Sequence, residues 1–279
     1  MRVCQTVPEI RKFRRERPDS QWGLVPTMGA LHEGHLSLVR RARAENDAVG
    51  VSIFVNPKQF NNAGDLASYP RTPDVDLRLL EAHGVDLVWT PGESDVYPEG
   101  YQTSVAVGEI AKPLEGSARP GHFQGVTTVV AKIFNVFHPH RAYFGEKDAQ
   151  QVAVVRRMVL DLDFNVQIMA CPTVREADGL AISSRNKNLS PEGRRQAICL
   201  FEALMTANTA FKAGVHSAAE LKRLMRDVIR RYDRARIDYL SVANVLTLQE
   251  VEAVDDQALL SMAVFVDEVR LIDNITIGK

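Results

Sequence analysis

Two hydrophobic rhythms alternate along the first part of the chain. An apolar, β-rich run over residues 22–26 passes through Thr27-Met28-Gly29 into residues 36–44, where apolar positions recur at helical spacing. Residues 48–55 are almost all apolar and largely β-branched, as in a strand covered on both faces, and Asn56-Pro57 ends the run with a turn. Residues 85–90 repeat that pattern. Between these two runs, residues 74–83 set Val75, Leu79 and Leu80 at helical spacing, and Gly84 follows as a C-cap. Further on, the pattern predicts a helix near 123–137, a short strand at 142–144, a helix over 148–160 and a strand at 166–170. Strands and helices in alternation imply right-handed crossovers. The expected fold class is therefore α/β, a Rossmann-like doubly wound parallel sheet.

After about Glu176 the rhythm changes. Helical stretches over 191–211 and 218–232 precede β-like runs at 237–242, 262–269 and 271–277, which predicts a smaller C-terminal α+β domain. The expected division is a Rossmann-like nucleotide-binding domain over residues 1–176 and an α+β lid over 177–279. No repeat or charge block interrupts this plan, and Arg226, Arg230, Arg231, Arg234 and Arg236 read as a solvated face.

Composition narrows the function classes. With 279 residues, 45% of them hydrophobic, the chain can bury one large core or two smaller ones, which excludes a disordered tail. Its 34 Lys and Arg against 35 Asp and Glu give a net charge of -1, so nucleic acid is not an expected partner. Cys4, Cys171 and Cys199 are odd in number, widely spaced and free of any C-x-x-C, which argues for a reducing compartment and for packing roles. No apolar run reaches the roughly 18 residues of a membrane helix, and residues 1–17 carry charge where a signal peptide is apolar. A cytoplasmic protein without membrane contact is expected.

A doubly wound sheet binds ligands beyond the carboxyl ends of its strands, which directs attention to the loop after the first apolar run. That loop contains Met28, Gly29, Ala30, Leu31, His32, Glu33, Gly34 and His35. The chain has neither G-x-G-x-x-G nor G-x-x-x-x-G-K-[ST], which argues against an ordinary dinucleotide site and against a P-loop. Gly29 and Gly34 permit close backbone approach, His32 and His35 can direct ring N–H groups at phosphate oxygens, and the following helix offers its N-terminal amides. His32-Glu33-Gly34-His35 is one residue short of the zincin H-E-x-x-H, which argues against a metal site. Two distant segments add donors. Gly145-Glu146-Lys147-Asp148 follows a predicted strand and brings an ammonium to its carboxyl end, and Ile182-Ser183-Ser184-Arg185 packs two hydroxyls and a guanidinium into consecutive positions. Together these groups suit stabilisation of charge on a transferring phosphoryl group.

These motifs, in this order, resemble the pantoate–β-alanine ligase family of the H-x-G-H nucleotidyltransferase superfamily. The resemblance covers nearly the whole chain and rests on six blocks: residues 26–35, 54–60, 69–72, 119–123, 144–151 and 178–186. It implies that Met28 to His35, Gly145 to Asp148, Val174 and Ile182 to Arg185 form an ATP site, with His35 as phosphate donor or acid. His32, His35, Lys147 and Arg185 would be the catalytic groups. Residues 182–185 look like a degenerate form of the mobile KMSKS loop of related synthetases. Gln59 and Gln151 match the family's pantoate-binding glutamines, and Asn56 and His122 match positions lining the same pocket. Gln124 stands where many members carry Arg.

The implied reaction agrees with the residue chemistry. A carboxylate is ionised near neutral pH and attacks the ATP α-phosphate without a general base, so positioning and charge stabilisation suffice. Pantoate and ATP would give pantoyl adenylate and pyrophosphate with Mg²⁺ assisting, and β-alanine would then displace AMP. A homodimer is implied by the resemblance alone. The nearest rival is a nucleotidylyltransferase, which shares the H-x-G-H and Ser-Ser features but carries out only nucleotide transfer. A catalytically idle binding module is a third reading, against which the intact His32, His35, Lys147 and Arg185 speak.

Overall fold

The computed structural model describes residues 1–278. Six strands form one sheet, every adjacent pair parallel: β1 (Arg2–Cys4), β2 (Trp22–Thr27), β3 (Ala48–Ile53), β4 (Leu87–Trp89), β5 (Arg141–Gly145) and β6 (Gln167–Cys171). Their order is β1-β4-β3-β2-β5-β6. From β2 the chain steps outward through β3 to β4, then crosses to the other side of β2 for β5 and β6. The direction of winding thus reverses between β2 and β5, whose carboxyl ends frame the crevice in which open α/β sheets bind ligands. Both β2 and β3 are covered on two faces, with β2 in register from Trp22 beside Ala48 to Thr27 beside Ile53.

Strand alternation divides the core into two layers. On one face Trp22, Leu24, Leu87 and Trp89 pack with Phe134 and Phe137 of the helix His122–Phe137. On the other, Val25, Val49, Val51 and Val88 pack with Val39 of the helix Glu33–Glu45 and Leu80 of the helix Pro73–Ala82. Cys4, Cys171 and Cys199 are buried and free, as their packing roles require, and burial pushes the Cys199 thiol up to about 12. No helix among the described residues is long and apolar enough to cross a membrane.

Several elements differ from the periodicity reading. The helix expected from residue 36 begins at Glu33, because His32, in an extended conformation, is its N-cap and residues 33–35 carry no apolar signal. In Pro73–Ala82 the inward face runs through Asp76 and Leu80, four residues apart, while Val75 is 45% exposed. The N-terminal β1 and the helix Val7–Arg15 went unpredicted, since that helix buries only Ile10 and Phe13 among charged neighbours. A capping box starts it, with the Gln5 and Thr6 N–H groups donating to Glu9 Oε2 at 2.9 and 3.0 Å.

The chain divides into two compact units, Met1–Glu146 with Gln151–Pro172, and Lys147–Gln150 with Thr173–Lys279. In the second unit the expected helix over 191–211 is two, Pro191–Gln196 and Cys199–Lys212. The latter and Ala218–Ile229 pack on an antiparallel sheet of β7 (Ala235–Ala243), β8 (Gln257–Val266) and β9 (Val269–Gly278). The run expected as a strand over 262–269 contains the turn of the β8–β9 hairpin, where Asp267 adopts a left-handed φ of 50°.

Candidate active site

The loop leaving β2 is built by hydrogen bonds from beneath. Thr27 Oγ1 donates to the Ser52 carbonyl at 2.8 Å and accepts from the Gly29 N–H at 3.2 Å. Gly29 and Ala30 then take left-handed φ values of 81° and 51°, which turns the next two amides inward. The Ala30 and Leu31 N–H groups both donate to the Asp76 carboxylate, each at 2.9 Å, and Thr72 Oγ1 donates to the same group at 3.1 Å. Asp76 is 1% exposed. Sequence reasoning missed this residue, because its partners lie 45 and 46 positions away. The available clue was an acidic residue on the same helical face as Leu80.

Beyond that turn, His32 sits at the N-cap of Glu33–Glu45 in an extended conformation, and its side chain makes no capping bond to the helix. The His32 carbonyl accepts from the His35 N–H at 2.8 Å, and the two imidazoles lie close together, tilted, with centroids 4.1 Å apart and planes 34° apart. Both rings are half-buried. Glu33 is exposed and pairs with Arg40. The loop therefore offers two imidazoles and a helix terminus, whereas two of its own amides are already committed to Asp76.

Gln59 and Asn56 occupy one turn of 3-10 helix, Pro57–Gln59, capped by Asn56. Asn56 is 1% exposed and fully engaged: its Nδ2 donates to Gln59 Oε1 at 3.1 Å and to the Gly125 carbonyl at 3.0 Å. Its Oδ1 accepts from the Tyr97 hydroxyl at 2.8 Å and from the Lys58 N–H at 3.3 Å. Gln59 Nε2 in turn contacts Met28 Sδ at 3.0 Å, which joins this turn to the start of the β2 loop. Buried His122 holds the Gln59 carbonyl through Nδ1 at 2.8 Å, and Arg119 donates to the same oxygen at 3.2 Å. Burial raises the Tyr97 hydroxyl well above its ordinary pKa, so it remains a donor to Asn56 at neutral pH. Gln151 is half-buried near the start of the helix Ala149–Asp161, and Gln124 is exposed and donates to Ser104 Oγ at 2.8 Å.

Gly145 ends β5, and Glu146, Lys147 and Asp148 form a 3-10 turn. In the second unit the Lys147 carbonyl accepts from Asn274 Nδ2 at 2.8 Å. Val174 and Ile182, both assigned to the ATP site by resemblance, meet directly: the Ile182 N–H donates to the Val174 carbonyl at 3.0 Å across a tight hairpin that turns at Asp178-Gly179. Arg175 braces this hairpin. Its guanidinium grips buried Asp273 at 2.6 and 2.9 Å, bonds the Gly179 carbonyl at 3.0 Å and stacks on Phe201. Arg194 closes it from the other side by pairing with Glu176 and Asp178, and holds the Asp178 carboxyl below its usual range. Ser183 then caps a 3-10 turn over Ser184–Asn188, with its Oγ accepting from the Arg185 N–H at 3.3 Å; Ser184 is buried and Arg185 half-buried. Among the described residues no group of three or more His, Cys, Asp or Glu is placed to hold a metal.

Residues 2–276 match the family model of pantoate–β-alanine ligase. The chain belongs to the pantoate–β-alanine ligase family. It is 56% identical to the pantothenate synthetase of Roseiflexus sp. (strain RS-1) over 274 residues, 98% of each chain. The crystal structure of pantothenate synthetase from Thermus thermophilus superposes with a TM-score of 0.94 at 48% identity, covering 99% of both chains. A pantoate–β-alanine ligase from Francisella tularensis, solved in complex with beta-gamma ATP and β-alanine, gives a TM-score of 0.82 at 37% identity, covering 99% of this chain and 97% of that one. The parallel sheet and small antiparallel sheet are thus those of this ligase family, and the protein is a ligase.

Proposed function

We propose that this chain condenses pantoate with β-alanine in two steps at the expense of ATP. The pantoate carboxylate oxygen bonds the α-phosphorus as the bond to the β-phosphate bridge breaks, releasing pyrophosphate. The β-alanine amine then bonds the pantoyl carbonyl carbon, the carbonyl–phosphate bond breaks, AMP leaves and the amine loses its proton. The observation that supports this most is the family match over residues 2–276, together with a β2 loop whose close-set His32 and His35 stand at the strand-order reversal. The match also favours amide formation over the nucleotidylyltransferase reading.

In this reading Met28 to His35, Gly145 to Asp148, Val174 and Ile182 to Arg185 serve ATP. His32 and His35 meet phosphate oxygens by ring N–H groups, and Lys147, Ser183, Ser184 and Arg185 offset the charge that develops as pyrophosphate departs. Gln59 and Gln151 take pantoate. A neutral amide binds a hydroxy acid without a competing ion pair, and Asn56 and His122, whose bonds converge on Gln59, hold it in place. Mg²⁺ bound with ATP would offset phosphate charge alongside Lys147 and Arg185. A cytoplasmic homodimer completes the proposal.

The deciding experiment follows pyrophosphate and AMP from ATP and Mg²⁺, first with pantoate and then with β-alanine added. Pyrophosphate that depends on pantoate, with AMP and amide released only after β-alanine, supports the ligase. Pyrophosphate release indifferent to pantoate refutes it.

A further inference from the structure

We propose that Asp76 is a positioning residue for nucleotide binding, holding the β2 loop in the one backbone conformation that presents His32, His35 and the helix terminus to phosphate. The proposal rests on the reading of that loop as the ATP site. Two successive residues there are left-handed, and the second is Ala30, whose Cβ makes this conformation unfavourable. Such a turn persists only where its surroundings impose it. Asp76 does so through both carboxylate oxygens, one for the Ala30 N–H and one for the Leu31 N–H, from a site sealed against water. It is itself fixed from two sides: Thr72 Oγ1 donates to it, and its own N–H donates to the Thr72 carbonyl at 2.9 Å in the first turn of Pro73–Ala82.

The same carboxylate explains Gly29. A Cβ there would come within 3.0 Å of both Asp76 Oδ2 and Ile53 Cγ2, so glycine answers the close approach of Asp76 as well as the positive φ. The arrangement has a chemical cost and a chemical use. An acidic group lies directly under an anion-binding loop, and it removes two amides that could have served the phosphates. In exchange, the chain is fixed just before His32, which caps Glu33–Glu45 and whose ring centroid lies 4.1 Å from that of His35.

The test uses Asp76→Asn, which keeps size and one acceptor oxygen but sets an NH₂ group against one of the two loop amides. Calorimetric titration with ATP and Mg²⁺, pantoate omitted, is expected to show affinity lower by about 10- to 100-fold, with pantoate affinity within about twofold. Thr72→Val, which removes only the supporting hydroxyl, is expected to shift ATP affinity in the same direction by a few-fold and serves if Asp76→Asn does not fold. Hydrogen exchange over residues 27–36, without any ligand, should accelerate in both variants. Unchanged ATP affinity and exchange in the folded variants overturn the proposal, as does an equal loss of ATP and pantoate affinity. Faster exchange in variants of a chain that shows no pantoate-dependent pyrophosphate release would uphold the pinning by Asp76 and sink the ligase reading instead.

Discussion

Gly125→Ala pits two well-defined effects of opposite sign against each other. Gly125 lies inside the helix His122–Phe137, where alanine in place of glycine ordinarily stabilises by about 1 kcal/mol. Here, however, an added Cβ would stand 2.2 Å from the Lys58 carbonyl oxygen, 2.5 Å from its carbon and 2.8 Å from the Gln59 nitrogen. All three are backbone atoms, so no side-chain rotation relieves the overlap. The helix and the turn Pro57–Gln59 must separate by about an ångström, at an overpacking cost near the upper end of roughly 1–3 kcal/mol. The net expectation is a loss of about 1–2 kcal/mol, seen as a melting temperature lower by roughly 2–8 °C. The functional effect should be larger than the thermal one. Retreat of the turn stretches the bond from Asn56 to the Gly125 carbonyl and displaces Gln59, and if Gln59 holds pantoate as proposed, a shift of that size should cost on the order of 10²-fold in kcat/KM for pantoate. ATP affinity, measured by titration, should fall far less, because the β2 loop, which the turn meets at Met28 Sδ, is held from beneath by Asp76. Gln124→Ala, at an exposed neighbour on the same helix, is the control and should change neither quantity. A Gly125→Ala protein that melts higher than wild type and retains its pantoate kcat/KM would refute the steric argument, and equal loss of both substrates would show general loosening instead of a displaced turn.

Other consequences can be checked separately. Lys147→Ala should slow pantoate-dependent pyrophosphate release by about 10²–10³-fold while leaving the melting temperature nearly unchanged; unaltered release removes Lys147 from the chemistry. Asp273→Ala strands the Arg175 guanidinium, whose side chain is only 18% exposed, and should destabilise the second unit by about 3–5 kcal/mol in thermal or denaturant melts. His140 supplies a pH dependence. Its Nδ1 accepts from the Trp22 N–H at 2.9 Å, and burial, with Arg14 and Arg141 nearby, lowers its pKa below the ordinary 6.5 against a smaller opposing pull from Asp47. As pH falls below 6.5 the unfolded imidazole takes up a proton before the folded one, so stability present above that pH is lost on going down. Melting temperatures should drop between about pH 7 and 5, and His140→Gln should flatten that slope; an identical slope in the variant would refute the assignment.

How far the sequence reveals the molecule depends on the range over which each signal acts. β2, β3 and the helices after them are legible because their burial is written in consecutive residues, Leu24 and Val25 to opposite faces, Val49 and Val51 to one. The His32 to His35 motif, Lys147 and the Ser183 to Arg185 run, proposed as donors, are legible as short runs of consecutive residues. What fixes these donors is not local. Asp76 reaches back 45 and 46 residues, Tyr97 reaches Asn56 across 41, His122 reaches the Gln59 carbonyl across 63, and Asp273 holds Arg175 across 98. A single acidic or aromatic residue on a helix carries no mark of such a partner in its own neighbourhood. Asn56 shows the difference most sharply. The resemblance places it in the pantoate pocket, and in the structure its amide hydrogens go to Gln59 and Gly125 and its oxygen to Tyr97 and Lys58, so it also orients Gln59. Short motifs therefore name the groups proposed to meet substrate, while the distant buried partners set the geometry in which those groups are held, and a substitution at the latter should alter binding of one substrate at a time.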